Sequence, residues 1–157
     1  MSVRVQENDF DVGDEIKIFC ASTKGDAGAL VTFTGIVREG AEDSPISSMT
    51  LEHYPQMTQN ELEKIEMEAH NRWPLIGSLI IHRYGELKPT DNIVLVITSS
   101  AHRQAAFEAA EFLVDWLKTK APFWKLEITR EGPSWVAAKN SDDQAAQRWN
   151  IKSNLKE

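Results

Sequence analysis

The segment KTKAPFWK sets Lys118 and Lys125 seven residues apart, with a third lysine, a proline and two large aromatics between them. A lysine held among aromatics has its charged form desolvated. Its pKa falls, which suits it to carry protons or to act as a nucleophile. Lys118 also has a plainer reading, as a cation in the last turn of a helix where it complements the dipole. Lys125 reads equally as a surface lysine whose stem covers Phe123.

A second group lies in SSAHRQ, where a strand end meets a helix start. Free backbone N–H groups and the positive end of the helix dipole favour an anion there. His102 and Arg103 add positive groups to an already positive end, which points to an anionic partner. The alternative is that Arg103 pairs with a carboxylate such as Glu108. Arg38 closes the stretch FTGIVR beside a loop, a common place for ligand contacts and an equally common place for a solvated arginine. His53 and His82 sit in apolar, strand-like surroundings and read as satisfied core histidines. No histidine pair, and no histidine with Cys20, has metal-ligand spacing. Cys20 reads as a small buried hydrophobe. Neither a G-x-S-x-G elbow, a P-loop nor a G-x-G-x-x-G fingerprint is present.

The elements that must hold these residues follow from periodicity. DVGDEIKIFCAS fits both a strand and a helix, and Asp11 as a cap favours the helix. GALVTFTGIVRE and SSMTLEHY read as strands joined by the loop EGAEDSP. TQNELEKIEMEAHNRW is a helix with a Thr58–Glu61 capping box, stopped by Pro74. GSLIIHRYG and DNIVLVITSS are strands. The second is apolar almost throughout and belongs in the middle of a covered sheet. AHRQAAFEAAEFLVDWLKTK is a long helix capped by Ser99 or Ser100, with Ala105, Ala109, Phe112, Leu113, Trp116 and Leu117 as its buried stripe. Pro122 blocks its extension. FWKLEITR is a strand with Phe123, Lys125 and Glu127 on one face. SWVAA follows a Gly132-Pro133 turn as another strand, and SDDQAAQRW is a closing helix. Mixed order with antiparallel turns indicates α+β rather than a doubly wound sheet.

The chain has 157 residues and a net charge of −7, with 41% apolar and 26% charged residues. Those values suit one globular domain over residues 1–149, followed by a frayed tail at 150–157. An acidic chain is a poor binder of nucleic acid. The apolar runs are too short to span a membrane, and the N-terminus shows no signal-peptide pattern. A single cysteine fits a reducing cytoplasm.

VTFTGIVRE, LEHYPQMT, RWPL, IHRYGEL, TSSAHRQAAFEA, LKTKAPFWK and SDDQAAQRW occur in this order. Together they resemble the catalytic (large) subunit of molybdopterin synthase over about residues 8 to 149. The resemblance implies an α/β hammerhead-like core with an additional antiparallel β subdomain. It implies a sulfurtransferase that converts cyclic pyranopterin monophosphate into molybdopterin, needing no cofactor and no metal. The sulfur would come from the thiocarboxylated C-terminus of a small ubiquitin-like sulfur-carrier subunit. A central homodimer with a carrier at each end would give a heterotetramer. By resemblance Lys118 and Lys125 are the catalytic pair. Arg38, His102 and Arg103 would bind the pterin phosphate, and backbone at Ile36, Val37, Leu126 and Glu127 would line the pocket.

Two departures from the family pattern stand out. EGAEDSP replaces an often Asn-containing loop. Lys139 stands where an arginine is expected, keeping the charge of a phosphate clamp without the bidentate fork. Two rival readings remain: a non-catalytic anion-binding adaptor of the same fold, and an acyl- or phosphotransfer enzyme using Lys125 alone. The adaptor would form no dithiolene product, and the transferase would turn over without a protein sulfur donor.

Overall fold

The computed structural model describes residues 2–136 and 140–153. In chain order the elements are β1 (Ser2–Gln6), α1 (Val12–Ser22), β2 (Ala29–Ile36), β3 (Gly40–Ala41), β4 (Ser44–Pro45), β5 (Ser48–His53) and α2 (Pro55–Arg72). They continue with β6 (Leu75–Arg83), β7 (Gly85–Leu87), β8 (Asn92–Ser100), α3 (Arg103–Thr119), β9 (Phe123–Thr129), β10 (Gly132–Trp135) and α4 (Asn140–Ser153). One sheet has the order β1-β6-β8-β2, parallel only between β1 and β6. A second, fully antiparallel sheet has the order β10-β9-β5-β7. The α+β class expected from the sequence is the class found.

Strand alternation divides the core. Ile80, Val94 and Val96 point to one face of the first sheet, where Ile65 and Ala69 of α2, Phe112 and Leu113 of α3, and Trp149 of α4 cover them. Leu79, Ile81, Leu95 and Ile97 point to the other face, against Phe10 and Phe19 at α1. β8 is therefore covered on both faces, as its unbroken apolar run requires. Fully burying one such aliphatic side chain contributes about 1.5–3 kcal/mol. A third cluster, Val37, Met49, Leu51 and Leu87 with Tyr84, Ile93 and Phe123 beside it, lies under the second sheet.

Several local expectations are corrected. α2 starts at Pro55, three residues before the expected box, because proline's fixed φ and missing N–H suit the first helical position. Thr58 lies inside the helix and donates to Tyr54 O at 2.9 Å, while Glu61 pairs with Lys64. Ser99 and Ser100 belong to β8 and cap nothing; the N-cap of α3 is His102, with no side-chain cap bond. The buried stripe of α3 is Ala106, Ala109, Ala110, Phe112 and Leu113. Cys20 is exposed on α1. EGAEDSP folds into the small β3–β4 hairpin. Gly132 and Pro133 lie within β10, so the turn is Arg130–Glu131. The expected tail begins as helix, since α4 runs on to Ser153. β1, in which Val3 and Val5 alternate with polar residues, is an element not expected above; it docks beside β6, with Ser2 N donating to buried Glu66 at 2.8 Å. The helix expected at Asp11 is correct, with Asp11 Oδ1 accepting from Asp14 N at 2.8 Å.

Candidate active site

α3 ends at Thr119 and β9 begins at Phe123, so three residues carry the chain from helix to sheet. Lys120 N donates to Trp116 O at 2.8 Å, the last helical bond, and Pro122 prevents another turn. This short link holds Lys118 in the last turn of α3 close to the start of the strand that carries Lys125. Lys118 is exposed and Lys125 half-buried. Lys125 stands opposite Leu51 of β5, and its main-chain oxygen accepts from Val136 N at 2.9 Å. Leu126 and Glu127 are half-buried inside the same ladder, opposite Thr50 and Met49 on β5 and Trp135 and Ser134 on β10.

The two aromatics between the lysines part company. Phe123 turns inward and stacks on His82 with ring centroids 3.8 Å apart and planes at 14°. His53 lies 5.6 Å from the same ring at 27°, and Tyr84 follows 4.4 Å from His53. Trp124 turns outward, 44% exposed, and meets Tyr54 edge-on. Only Phe123 is therefore a core aromatic.

Of the two expected core histidines only His82 is buried, His53 being half-buried, and both are bonded. His82 Nδ1 lies 2.8 Å from Arg83 O, and His53 Nδ1 lies 3.1 Å from Thr58 Oγ1. Burial pushes His82 down to about 3; the bond to Arg83 O opposes this, and the charges of Lys125, His53 and Lys118 add to the fall. Sequence reasoning passed over His82 as a neighbour of the lysines, because 41 residues separate it from Phe123 and no local pattern encodes that contact.

The depressed histidine has a consequence for stability. Between about 3 and 6.5 the unfolded chain binds a proton at His82 that the folded chain refuses. Stability from this group is full above 6.5 and is lost as pH falls. Lowering pH from 7.5 to 5 is expected to cost about 2 kcal/mol of unfolding free energy. His53 and His70, also lowered by burial, act in the same direction. Urea unfolding at the two pH values measures the fall, and His82→Phe should remove most of it.

The anion group sits elsewhere. β2 carries a bulge between Gly35 and Ile36. Beyond it Val37 is buried, bonded through its main chain to Asp91 O and Thr90 N at 2.9 Å each, and it belongs to the cluster beside Phe123. Ile36 is 53% exposed. Arg38 is exposed and forms no ion pair among the described residues. His102 and Arg103 are exposed at the start of α3. The turn before them is pinned where Gly28 packs against it: a Cβ there would stand 2.2 Å from Ala101 O. Glu108 accepts from Trp73 and Gln104 rather than pairing with Arg103. α3 is unbroken, so at about 1.5 Å per residue Arg103 and Lys118 lie roughly 22 Å apart along it. One chain brings Lys118, Lys125 and Val37 to one region and leaves His102 and Arg103 at the far end of the helix. Lys139 lies outside the described residues.

No helix among the described residues is long and apolar enough to cross a membrane. A family model described as MoaE protein matches residues 5–120. A molybdopterin synthase catalytic subunit from Mesorhizobium japonicum is 51% identical over 156 residues, covering 97% of this chain and 95% of that protein. The subunit of the same name from Escherichia coli is 52% identical over 140 residues, covering 89% and 92%. A solved molybdopterin biosynthesis MoaE protein from Burkholderia ambifaria superposes with a TM-score of 0.79 at 46% identity, covering 95% and 97%. With the fold, the matched length and these identities in agreement, the chain belongs to the MoaE family, that of the molybdopterin synthase catalytic subunits.

Proposed function

We propose that this protein converts cyclic pyranopterin monophosphate to molybdopterin, inserting two sulfurs delivered by the thiocarboxylated C-terminus of a small sulfur-carrier subunit. The observation that carries this reading is the pair Lys118 and Lys125, one in the last turn of α3 and the other on β9, elements joined by a three-residue link, in a chain of this family. In this role the lysines bind the substrate anion and move protons during two rounds of sulfur addition. The sulfur arrives with the partner, so Cys20 is not needed. It lies on α1, across the first sheet from α2 and α3.

The pterin phosphate requires cations that one chain does not bring to its lysines. A span of roughly 22 Å along an unbroken helix exceeds the reach of one pterin phosphate. Among the described residues no proline or glycine interrupts α3 to shorten it. A two-fold homodimer solves this, each pocket taking Lys118 and Lys125 from one chain and His102 and Arg103 from the other. Arg38 and Lys139 are the remaining candidates for the phosphate, and the backbones at Ile36, Val37, Leu126 and Glu127 for the pocket wall. Residues 1–149 act as one catalytic domain in the cytoplasm, and a carrier at each end of the dimer completes a heterotetramer.

The test is a synthase assay with thiocarboxylated carrier and pterin precursor, read as dithiolene product. Product should form only with both present. A carrier lacking its last two residues should abolish turnover while the subunits still associate, because an extended tail held by main-chain hydrogen bonds delivers the sulfur. Absence of product with intact carrier would leave the anion-binding adaptor. Turnover without any protein sulfur donor would indicate a transferase built on Lys125 alone.

A further inference from the structure

Among the described residues His82 is the one buried histidine, and its hydrogen bonding defines its chemistry. Nδ1 lies 2.8 Å from Arg83 O. A carbonyl oxygen only accepts, so Nδ1 carries the hydrogen, and in the neutral ring Nε2 is a bare acceptor. Nε2 forms no hydrogen bond among the described residues. Yet no described side-chain nitrogen or oxygen is both sealed from solvent and unpartnered. The 5% of His82 that remains exposed therefore includes this atom. The ring cannot swing away: Phe123 is stacked on its face at 3.8 Å, and β6 is held between β1 and β8 at Val5 and Val94. Phe123 itself shares a strand face with Lys125 two residues on. The neutral ring is thus fixed against Phe123, on the strand face that also carries Lys125, with its Nε2 lone pair uncommitted among the described residues.

We propose that His82 is a positioning residue for the sulfur-transfer site, its Nε2 accepting a hydrogen bond from the Lys125 ammonium when substrate is bound. A lysine ammonium has three donors on a flexible four-carbon stem. Spending one of them on a fixed acceptor holds the nitrogen in place for the substrate. A neutral acceptor does this without the competing salt bridge that a carboxylate would make. Stacking on Phe123 ties the acceptor to the strand that presents the lysine, so the two move as one unit. Loss of such alignment reduces turnover far more than substrate affinity.

This inference rests on the lysine-centred reading of the site, and its test separates the two. His82→Phe keeps the ring stack and removes the acceptor. His82→Gln places an amide oxygen near the position of Nε2 and gives up the ring. In the synthase assay His82→Phe should lower kcat by about 10- to 100-fold with KM changed less than about threefold. His82→Gln should recover part of kcat although it stacks less well. A purely structural histidine would show the reverse order, Phe better than Gln, and that order overturns the proposal. So does wild-type kcat in His82→Phe. If His82→Phe does not fold, His82→Asn takes its place, retaining a donor to Arg83 O and no acceptor at the ε position. Its wild-type kcat overturns the proposal equally, and a kcat loss of the same size supports it. Lys125→Ala is measured in parallel: if it is inactive while His82→Phe is normal, only the role of His82 fails. If Lys125→Ala is active, the lysine-centred reading fails with it.

Discussion

Lys118→Ala and Lys125→Ala should each cut dithiolene formation by about 10²- to 10⁴-fold, the range expected when a positioned proton-transfer group is removed. In the proposed mechanism both lysines serve the same pocket, so neither loss is compensated by the other. Folding should survive. Neither lysine is part of the three apolar clusters, Lys118 being exposed and Lys125 half-buried. A thermal melt within a few degrees of wild type, together with retained carrier binding, separates lost chemistry from lost structure. Arginine at either position should rescue poorly. It restores the charge, but its guanidinium does not give up a proton in this range, and its planar fork is larger than an ammonium. Near-normal product formation by either alanine variant would remove that lysine from the mechanism.

Lys118→Ala and Arg103→Ala homodimers, each nearly inactive, should regain activity when mixed. The expectation follows from helix geometry. Arg103 opens α3 and Lys118 lies in its last turn, and the helix between them is continuous. A single substrate touching both must sit between two chains. In a heterodimer of the two variants one pocket draws Lys118 and Arg103 from the chains that still possess them, and the other pocket has lost both. Random exchange of equal amounts makes half the dimers heterodimeric, with one of two pockets intact, so about a quarter of wild-type activity should return. Exchange is verified independently, by tagging one variant and recovering the other with it. Proven exchange with no recovery would mean that each chain builds its own site, and the two-chain pocket would be wrong.

The sequence by itself determined the elements whose signals are local. β8 is legible as a central strand because its apolar run has no polar face. α3 is legible from its stripe and from Pro122, and the proximity of Lys118 and Lys125 follows from a link too short to separate them. The family was legible from the order of its motifs. Tertiary structure decided whatever depends on partners distant in the chain. β1 alternates Val3 and Val5 with polar residues, and it is the edge offered by β6 that fixes this short segment as a strand. Pro55 overrode a well-formed capping box because a preset φ at the first helical position displaces the helix start. Phe123 and Trp124 are equally apolar, and only the sheet decides which is covered: His82 and His53 lie on the side that Phe123 faces. His82 is buried and bonded through Nδ1, as its context suggested. Its tautomer and the direction of its free lone pair come from Arg83 O and the ring of Phe123, and contacts across 41 residues leave no periodic trace for sequence reading to find.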